Sequence, residues 1–212
     1  MRNLLLFFLF GTINTVYALN VNFILEKLQI RCRSLESIKA EFIQKTQVVT
    51  AGPIKIKEFE GIMYLKRPSK IRWDYYKPSI YQIISDGENI WFYDAEEKQV
   101  MIGKLKTYMD KRLLLSLFLN IKNLKKFFKI DYEEKDKFFI LTLIPYQLIP
   151  SLKEAQIWIK KDNFEIKQVE TKDFYGNKNK FQFVSIFFNP NLEDKFFVFQ
   201  TPKGTEIIRL PD

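Results

Sequence analysis

The sequence lacks residue types on which several common protein chemistries depend. Its 212 residues include no histidine and a single cysteine, Cys32. The absence of histidine excludes Ser-His-Asp and Cys-His nucleophiles and histidine-bound metal centres, because imidazole is the commonest general base and zinc ligand. A single cysteine excludes an internal disulfide, a CxxC redox pair and a thiolate zinc cluster. We therefore expect a protein that binds rather than catalyses, with no metal and no cofactor.

The chain is rich in positive charge and in aromatic side chains. It carries 34 Lys+Arg against 25 Asp+Glu, for a formal net charge of +9, and it contains 21 Phe, 10 Tyr and 3 Trp. With 47% hydrophobic residues it is neither disordered nor collagen-like, and its length fits one domain. Basic residues cluster at Lys122, Lys125, Lys126 and Lys129, and at Lys178 and Lys180. These clusters indicate a solvated face or a weak attraction to anionic headgroups or an acidic partner, and no nucleic acid is expected because no groove-reading motif is present.

The first segment has the pattern of a secretory signal peptide. Met1-Arg2-Asn3 gives a positive start, residues 4–10 are all apolar, and Val16-Tyr17-Ala18 offers a small-residue cleavage site. A membrane anchor is disfavoured because this run is far below the ~20 residues that a transmembrane helix needs. We expect cleavage after Ala18, export, and one mature domain of residues 19–212. Cys32 lies well beyond that site, so no lipid anchor is expected.

Two helices are predicted. Apolar residues recur at positions 21, 24, 25, 28, 32 and 35, the spacing of a helix with one buried stripe. Cys32 falls on the stripe, which favours a small buried hydrophobe over a reactive thiol. Residues 108–127 have helical composition with a heavy apolar load. We expect this segment to cap an open end of a sheet, the alternative being a membrane-surface helix.

The rest of the chain has the pattern of short strands separated by turn formers. The predicted strands are residues 38–43, 54–66, 70–75, 80–85, 90–94, 99–103, 128–134, 138–144, 154–160, 166–173 and 180–188. Asp86-Gly87 gives the strongest turn signal, for a type I′ hairpin with positive φ at both residues. Because the separators are too short for crossover helices, neighbouring strands are expected to pair antiparallel.

Alternation along these strands predicts the architecture. Ile71, Trp73 and Tyr75 alternate with charged residues, so one face of their strand is apolar and the other faces solvent. An antiparallel sheet with one apolar face must close on itself or be covered by helices. We therefore predict a mainly β fold, an incomplete, unclosed antiparallel β-barrel of about eleven strands, with an α-helical lid over a hydrophobic cavity.

Two sequence blocks carry a resemblance to a known family. Residues 61–75 include Lys66-Arg67-Pro68 followed by Trp73, and residues 83–94 include Asp86-Gly87 followed by Trp91-Phe92-Tyr93. With residues 38–45 and 197–206 in the same order, these blocks closely resemble the periplasmic outer-membrane lipoprotein carrier family, LolA. The resemblance implies an incomplete barrel in the periplasm with helices as its lid. It also implies that the chain accepts triacylated lipoproteins from an inner-membrane ABC transporter and delivers them to an outer-membrane receptor, if one is present. A monomer is expected.

The resemblance also implies roles for individual residues. Arg67 has the position of the family's latch arginine, whose fork donates hydrogen bonds from the barrel to the lid backbone. The alternative is a solvent-exposed turn arginine before Pro68. The candidate residues for lining the acyl-chain cavity are Ile71, Trp73, Leu65, Met63, Ile83 and Trp91. For each of these, the alternative is ordinary core packing.

Two other functions stay open on the sequence alone. One is an envelope-stress sensor of the same fold that binds mislocalised lipoproteins, which resembles this domain plus a second one for which the chain leaves no room. The other is an envelope-lipid hydrolase, for which no nucleophile and base can be named. The acid pair Glu96-Glu97 lies in a predicted turn, and Glu133 and Glu134 point to opposite faces of a strand. We therefore do not expect an enzyme.

Overall fold

The computed structural model of the protein describes residues 10–109, 117–119 and 121–211. The helices in these residues are α1 (Phe10–Cys32), α2 (Leu105–Tyr108) and α3 (Leu124–Phe127), with short 3-10 turns at Ile121–Asn123 and Asp194–Phe197. The strands are β1 (Ser37–Val48), β2 (Lys55–Lys66), β3 (Lys70–Lys77), β4 (Tyr81–Ser85), β5 (Asn89–Asp94), β6 (Gln99–Lys104), β7 (Phe128–Lys135), β8 (Phe138–Pro145), β9 (Glu154–Lys160), β10 (Ile166–Lys172), β11 (Lys178–Phe188) and β12 (Glu206–Arg209).

The strands form one sheet that does not close. Its order is β12-β6-β5-β4-β3-β2-β1-β11-β10-β9-β8-β7, so two meanders, β1–β6 and β7–β11, join where β1 pairs with β11. Neighbours pair antiparallel except β12, which runs parallel to β6. Within the described residues β12 and β7 are the two edges. The predicted eleven-strand unclosed antiparallel sheet is confirmed, and β12 is an additional strand that the sequence pattern did not predict.

Helix α1 covers one face of the sheet with the predicted stripe. All six stripe residues are buried, at 9% exposure or less: Val21, Ile24, Leu25, Leu28, Cys32 and Leu35. They share one core with residues of β1–β3 and β7–β11, so we call this side of the sheet the helix-covered face. The predicted cleavage site after Ala18 lies within α1, and residues 1–9 of the predicted signal peptide lie outside the described residues. Among the described helices, none combines the length and apolarity that crossing a membrane requires.

The second predicted helix, residues 108–127, is not a single helix in the part that the structure describes. Helix α2 ends at Tyr108, a 3-10 turn precedes the one-turn α3, and residues 110–116 and 120 lie outside the described residues. Residues 117–119 and 121–127, the second lid segment, nevertheless cover the sheet beside α1. Their buried side chains join the same core: Leu117, Phe118, Leu119, Ile121 and Leu124. Apolar content therefore predicted the burial of this segment, and its described residues 117–118 and 124–127 are helical with a 3-10 turn between them.

The turn at Asp86-Gly87 also differs from the prediction. Gly87 has φ +105°, whereas Asp86 has an ordinary backbone and its carboxylate accepts the backbone N–H groups of Glu88 and Asn89 at 2.8 and 2.7 Å. The hairpin is therefore held by the aspartate side chain rather than by a type I′ turn. Gly87 is required here because a Cβ would lie 2.7 Å from the Ser69 hydroxyl.

The C-terminal segment crosses the other face of the sheet. The carboxylate of Asp194 accepts hydrogen bonds from the ammonium groups of Lys66 and Lys70 at 2.7 and 2.6 Å. These bonds lower the pKa of Asp194 to about 2. The Arg72 guanidinium donates to the carbonyl of Phe196 at 3.0 Å and lies over its ring. We call this side the outer face.

Candidate functional site

The strand register brings five of the six cavity candidates together on the helix-covered face. In antiparallel pairs, directly opposed residues share a face. Leu65 lies opposite Ile71, and both are fully buried beside Ile38. In the next row Met63 lies opposite Trp73, and Trp73 opposite Ile83. Whether these side chains contact cargo stays a prediction.

Trp91 is not part of this group. It lies opposite Ile84, and Ile84 lies opposite Arg72, whose guanidinium binds the C-terminal segment on the outer face. The residue of β5 that lies opposite Ile83 is Phe92. The assignment of Trp91 to the cavity is therefore corrected, because one step along a strand moves a side chain to the opposite face.

The lid's own side chains occupy the space above this face. The cavity beneath α1 measures about 20 Å³ and is bounded by Leu28, Cys32, Phe118, Ile166 and Ile186, among others. A space of this size holds about one water molecule. The part of the interior beneath α1 is therefore packed, and an acyl chain fits there only if α1 or Phe118 moves away.

Cys32 lies in this packed interior. Its thiol is buried, and burial raises its pKa to about 11. The positive charges of Arg31 and Arg67 lower this pKa and so offset part of the rise. The thiol therefore stays protonated at neutral pH, which fits the predicted packing role. No group of three His, Cys, Asp or Glu side chains in the described part of the chain is arranged to hold a metal ion.

A polar donor is also buried on the helix-covered face. The indole Nε1 of Trp73 has no hydrogen-bond partner among the described residues. A buried indole N–H normally finds an acceptor, because leaving it unpaired costs about 1–3 kcal/mol. Within the part of the chain that the structure describes, the row formed by Met63, Trp73 and Ile83 therefore holds one donor without an acceptor.

A polar cluster bounds the apolar interior towards the β1–β2 turn. The side chain of Gln44 donates to Thr46 and Asn179 at 3.0 and 3.1 Å and accepts from the Tyr75 hydroxyl at 2.8 Å. Burial raises the pKa of Tyr75 well above its usual range. These groups satisfy one another, so the cluster closes this end of the interior.

Arg67 connects the sheet to both parts of the lid. From the turn between β2 and β3, its Nε donates to the carbonyl of Leu35 at 2.7 Å, just beyond α1, and a terminal nitrogen donates to the carbonyl of Leu119. Its backbone N–H donates to the carbonyl of Glu36 at 2.9 Å. The side chain is 34% exposed. One guanidinium thus bonds the backbone of both lid segments, the arrangement that a latch requires.

A groove that the sequence did not predict runs between the two lid segments. It has a volume of about 530 Å³ and is lined by Leu25, Ile30, Arg33, Ile121 and Lys125, with Glu26 and Gln29. Ile30 projects here because it lies off the buried stripe of α1. The sequence signal for this groove was Ile30, an apolar residue on the polar side of α1.

The family model and the curated relatives agree on one family. The family model described as "Outer membrane lipoprotein carrier protein LolA" matches residues 33–200. An "Outer-membrane lipoprotein carrier protein" of Histophilus somni (strain 2336) is 32% identical over 204 residues, covering 96% of this chain and 94% of the relative. One of Methylobacillus flagellatus is 29% identical over 188 residues, covering 84% and 90%. A crystal structure of an uncharacterized conserved protein from Thermus thermophilus superposes with a TM-score of 0.55 at 12% identity, covering 90% of this chain and 99% of that one, which shows a shared fold.

Proposed function

The chain belongs to the outer-membrane lipoprotein carrier family, and we propose that it is a periplasmic carrier that binds the acyl chains of lipoproteins on the helix-covered face of its sheet. In this proposal it accepts triacylated lipoproteins from an inner-membrane ABC transporter and delivers them to the outer membrane, through a receptor where one is present. The single observation that carries the proposal is the position of Arg67, which bonds the sheet to both lid segments over an apolar interior.

In this proposal, acyl chains take the place of lid side chains in the apolar interior. Fully burying an aliphatic or aromatic side chain contributes about 1.5–3 kcal/mol, and each buried methylene about 0.8 kcal/mol. About two to four methylenes therefore replace one lid side chain such as Leu28 or Phe118. Because the gain and the loss are of similar size, cargo is exchanged readily in either direction. This property suits a carrier that must release what it binds.

In this proposal, the hydrogen bonds of Arg67 are what favour the release of cargo over its retention. Its bond to the carbonyl of Leu119 requires the second lid segment to lie on the sheet, and its bond to the carbonyl of Leu35 holds the connection between α1 and β1. Bound cargo holds the lid open, so closure after delivery regains the bond to Leu119 and favours release. Binding and release require no covalent chemistry, and the proposed carrier is not an enzyme.

The carrier proposal is tested by a release assay. Inner-membrane vesicles that contain the transporter and a labelled lipoprotein are incubated with ATP and the purified protein. We expect the label to appear in a soluble one-to-one complex with the protein. If a competent transporter releases no lipoprotein into such a complex, the carrier proposal is wrong.

The latch is tested by Arg67→Leu, with Arg209→Leu in the exposed part of β12 as the matched control. The Arg67 variant removes the side-chain hydrogen bonds to Leu35 and Leu119, so closing the lid no longer favours release. We expect normal formation of the soluble complex but at least about ten-fold slower transfer to outer-membrane vesicles. Arg209→Leu is expected to transfer at the wild-type rate. Transfer by Arg67→Leu at that same rate would show that Arg67 is only a turn residue.

A further inference from the structure

Two hairpin tips lie side by side at one end of the sheet. They are the turn between β1 and β2, residues 49–54, and the turn between β10 and β11, residues 173–177. The backbone N–H of Val49 donates to the Asn177 side chain at 2.8 Å, which ties one tip to the other. We call these two turns, with the first residues of the strands beside them, the hairpin rim.

Apolar side chains on the hairpin rim point into solvent. The exposed large residues are Val49, Ile54, Ile56, Phe174 and Tyr175. Ile56 is 68% exposed and Tyr175 is 82% exposed. Scattered exposed hydrophobes need no explanation, but five on two adjacent tips mark an interaction surface.

The rim is also positively charged. Residues 48–58 and 171–180 contain five lysines and two acids, Glu58 and Asp173. Glu58 is paired with Lys45 at 2.9 Å, and Asp173 accepts the backbone N–H groups of its own turn. Among the described residues, no carboxylate pairs with Lys55, Lys57 or Lys172, whereas Lys178 lies 3.9 Å from Glu170. The unpaired positive charge therefore surrounds the exposed apolar tips.

Four backbone N–H groups of the β10–β11 tip, those of Asp173, Tyr175, Gly176 and Asn177, already have acceptors. The Asp173 carboxylate accepts from the N–H groups of Tyr175 and Asn177 at 2.8 and 2.9 Å. Backbone groups that enter a bilayer without partners cost several kcal/mol each, and this turn brings few of them. The aromatic tip can therefore enter an interface between water and lipid at low cost.

We propose that the hairpin rim docks on the surface of an anionic phospholipid bilayer. Phe174 and Tyr175 enter the headgroup region, where amphipathic aromatic side chains are favoured, and the rim lysines lie against lipid phosphates. Projecting tips fit a deformable lipid surface, whereas a protein partner is more often received in a preformed groove. Because Arg67 lies at the opposite end of β2, docking leaves Arg67 away from the bilayer. This proposal goes beyond cargo carriage and is tested without cargo.

The test is flotation of the protein, purified from the periplasm, with vesicles of phosphatidylcholine alone or mixed with phosphatidylglycerol. We expect binding to the mixed vesicles and little binding to phosphatidylcholine alone. Binding should fall as salt rises from 0.15 M to 1 M, because the screening length falls from ~8 to ~3 Å. Equal binding to both vesicles, or none to the mixed ones, would overturn the proposal.

Variants with matched controls locate the binding surface. The double variant Lys55→Gln with Lys57→Gln should lower binding more than ten-fold, since each lysine near an anionic surface contributes about five-fold. The same change at the opposite end of the sheet, Lys135→Gln with Lys137→Gln, should leave binding unchanged. An equal loss in both variants would show general charge attraction and would overturn docking by the rim.

The aromatic contribution is tested in the same way. Phe174→Ser with Tyr175→Ser should lower binding at least about ten-fold, while Phe187→Ser on the outer face should not. Binding that needs membranes with embedded protein, and is absent from protein-free vesicles, would assign the rim to a protein partner and reject the lipid surface. A protein that binds vesicles but never forms a lipoprotein complex would keep this inference and refute the proposed carriage, so the two failures are distinguishable.

Discussion

The two ends of the sheet use their turns in opposite ways. The latch end comprises residues 31–36, 67–69, 161–165 and 189–192. Side chains there bond the backbone of distant segments: Arg67 donates to Leu35, Asn189 accepts from Glu36 and Arg31 donates to Asn163. The hairpin rim, at the other end, bonds its two tips through Asn177 but leaves its large apolar side chains in solvent. Since successive turns of a meander alternate between ends, one chain has turns bonded to distant segments at one end and exposed apolar turns at the other.

The largest expected effect is on the alkylation rate of Cys32, which lies in the closed interior next to the latch end. Burial raises the pKa of Cys32 from 9.0 to about 11, so at pH 8 its thiolate is about 100-fold scarcer in the folded protein than in the unfolded chain. The pKa is raised by folding, so the stability contributed by the neutral thiol is complete below pH 9 and is lost as the pH rises towards 11. We expect alkylation of Cys32 at pH 8 to be at least about 100-fold slower than in urea, and faster in Arg67→Leu. A native rate close to that in urea would contradict a closed lid.

A pair of asparagines compares the two ends directly. Asn189 accepts from Glu36 and Ser37, donates to the carbonyl of Ser34 and has φ +53°. Asn189→Ala removes these bonds and leaves alanine in a left-handed backbone, so we expect a loss of about 2 kcal/mol in the free energy of unfolding by urea. Asn177→Ala at the hairpin rim is expected to cost about 1 kcal/mol, because it removes fewer bonds to distant segments. An equal or larger loss at Asn177 would reverse the proposed difference between the ends.

The smallest expected effect is on the stability of the rim aromatics. Phe174 and Tyr175 are exposed, so replacing both by serine should change the free energy of unfolding by less than about 0.5 kcal/mol per site. The urea midpoint of the double variant measures this. A large loss of stability would mean that these rings support the fold rather than face a partner, and would remove the main contrast between the two ends.

Alternation and turn chemistry predicted most of the fold. The stripe of α1 and eleven of the strands follow from local spacing, and all six stripe residues are buried as expected. β12 was missed because Glu206–Arg209 is short and pairs with a strand far away in sequence. The face of Trp91 was missed because it depends on how the turn of residues 86–88 sets the register of β5 against β4, and alternation within one strand does not reveal this.

The sequence could predict those parts of the candidate site that depend on a single residue, but not those that depend on two distant segments. Arg67 was identified from its sequence block, but its acceptors Leu35 and Leu119 lie in segments that no local pattern connects to it. The hairpin rim depends on the pairing of β1 with β11, which brings residues 49–54 and 173–177 together. Sequence shows that both turns contain apolar residues, but not that they are neighbours.

The pairing of β1 with β11 also has a consequence for how the protein folds. Every other antiparallel pair joins strands that are consecutive along the chain, whereas this one connects the first strand to the eleventh. Closing so long a loop costs more entropy and raises the contact order, which slows folding. We expect each meander to form early and the seam between β1 and β11 to form late. Until that seam is complete, α1 has only half of its binding surface, so the lid is among the last parts of the molecule to become ordered.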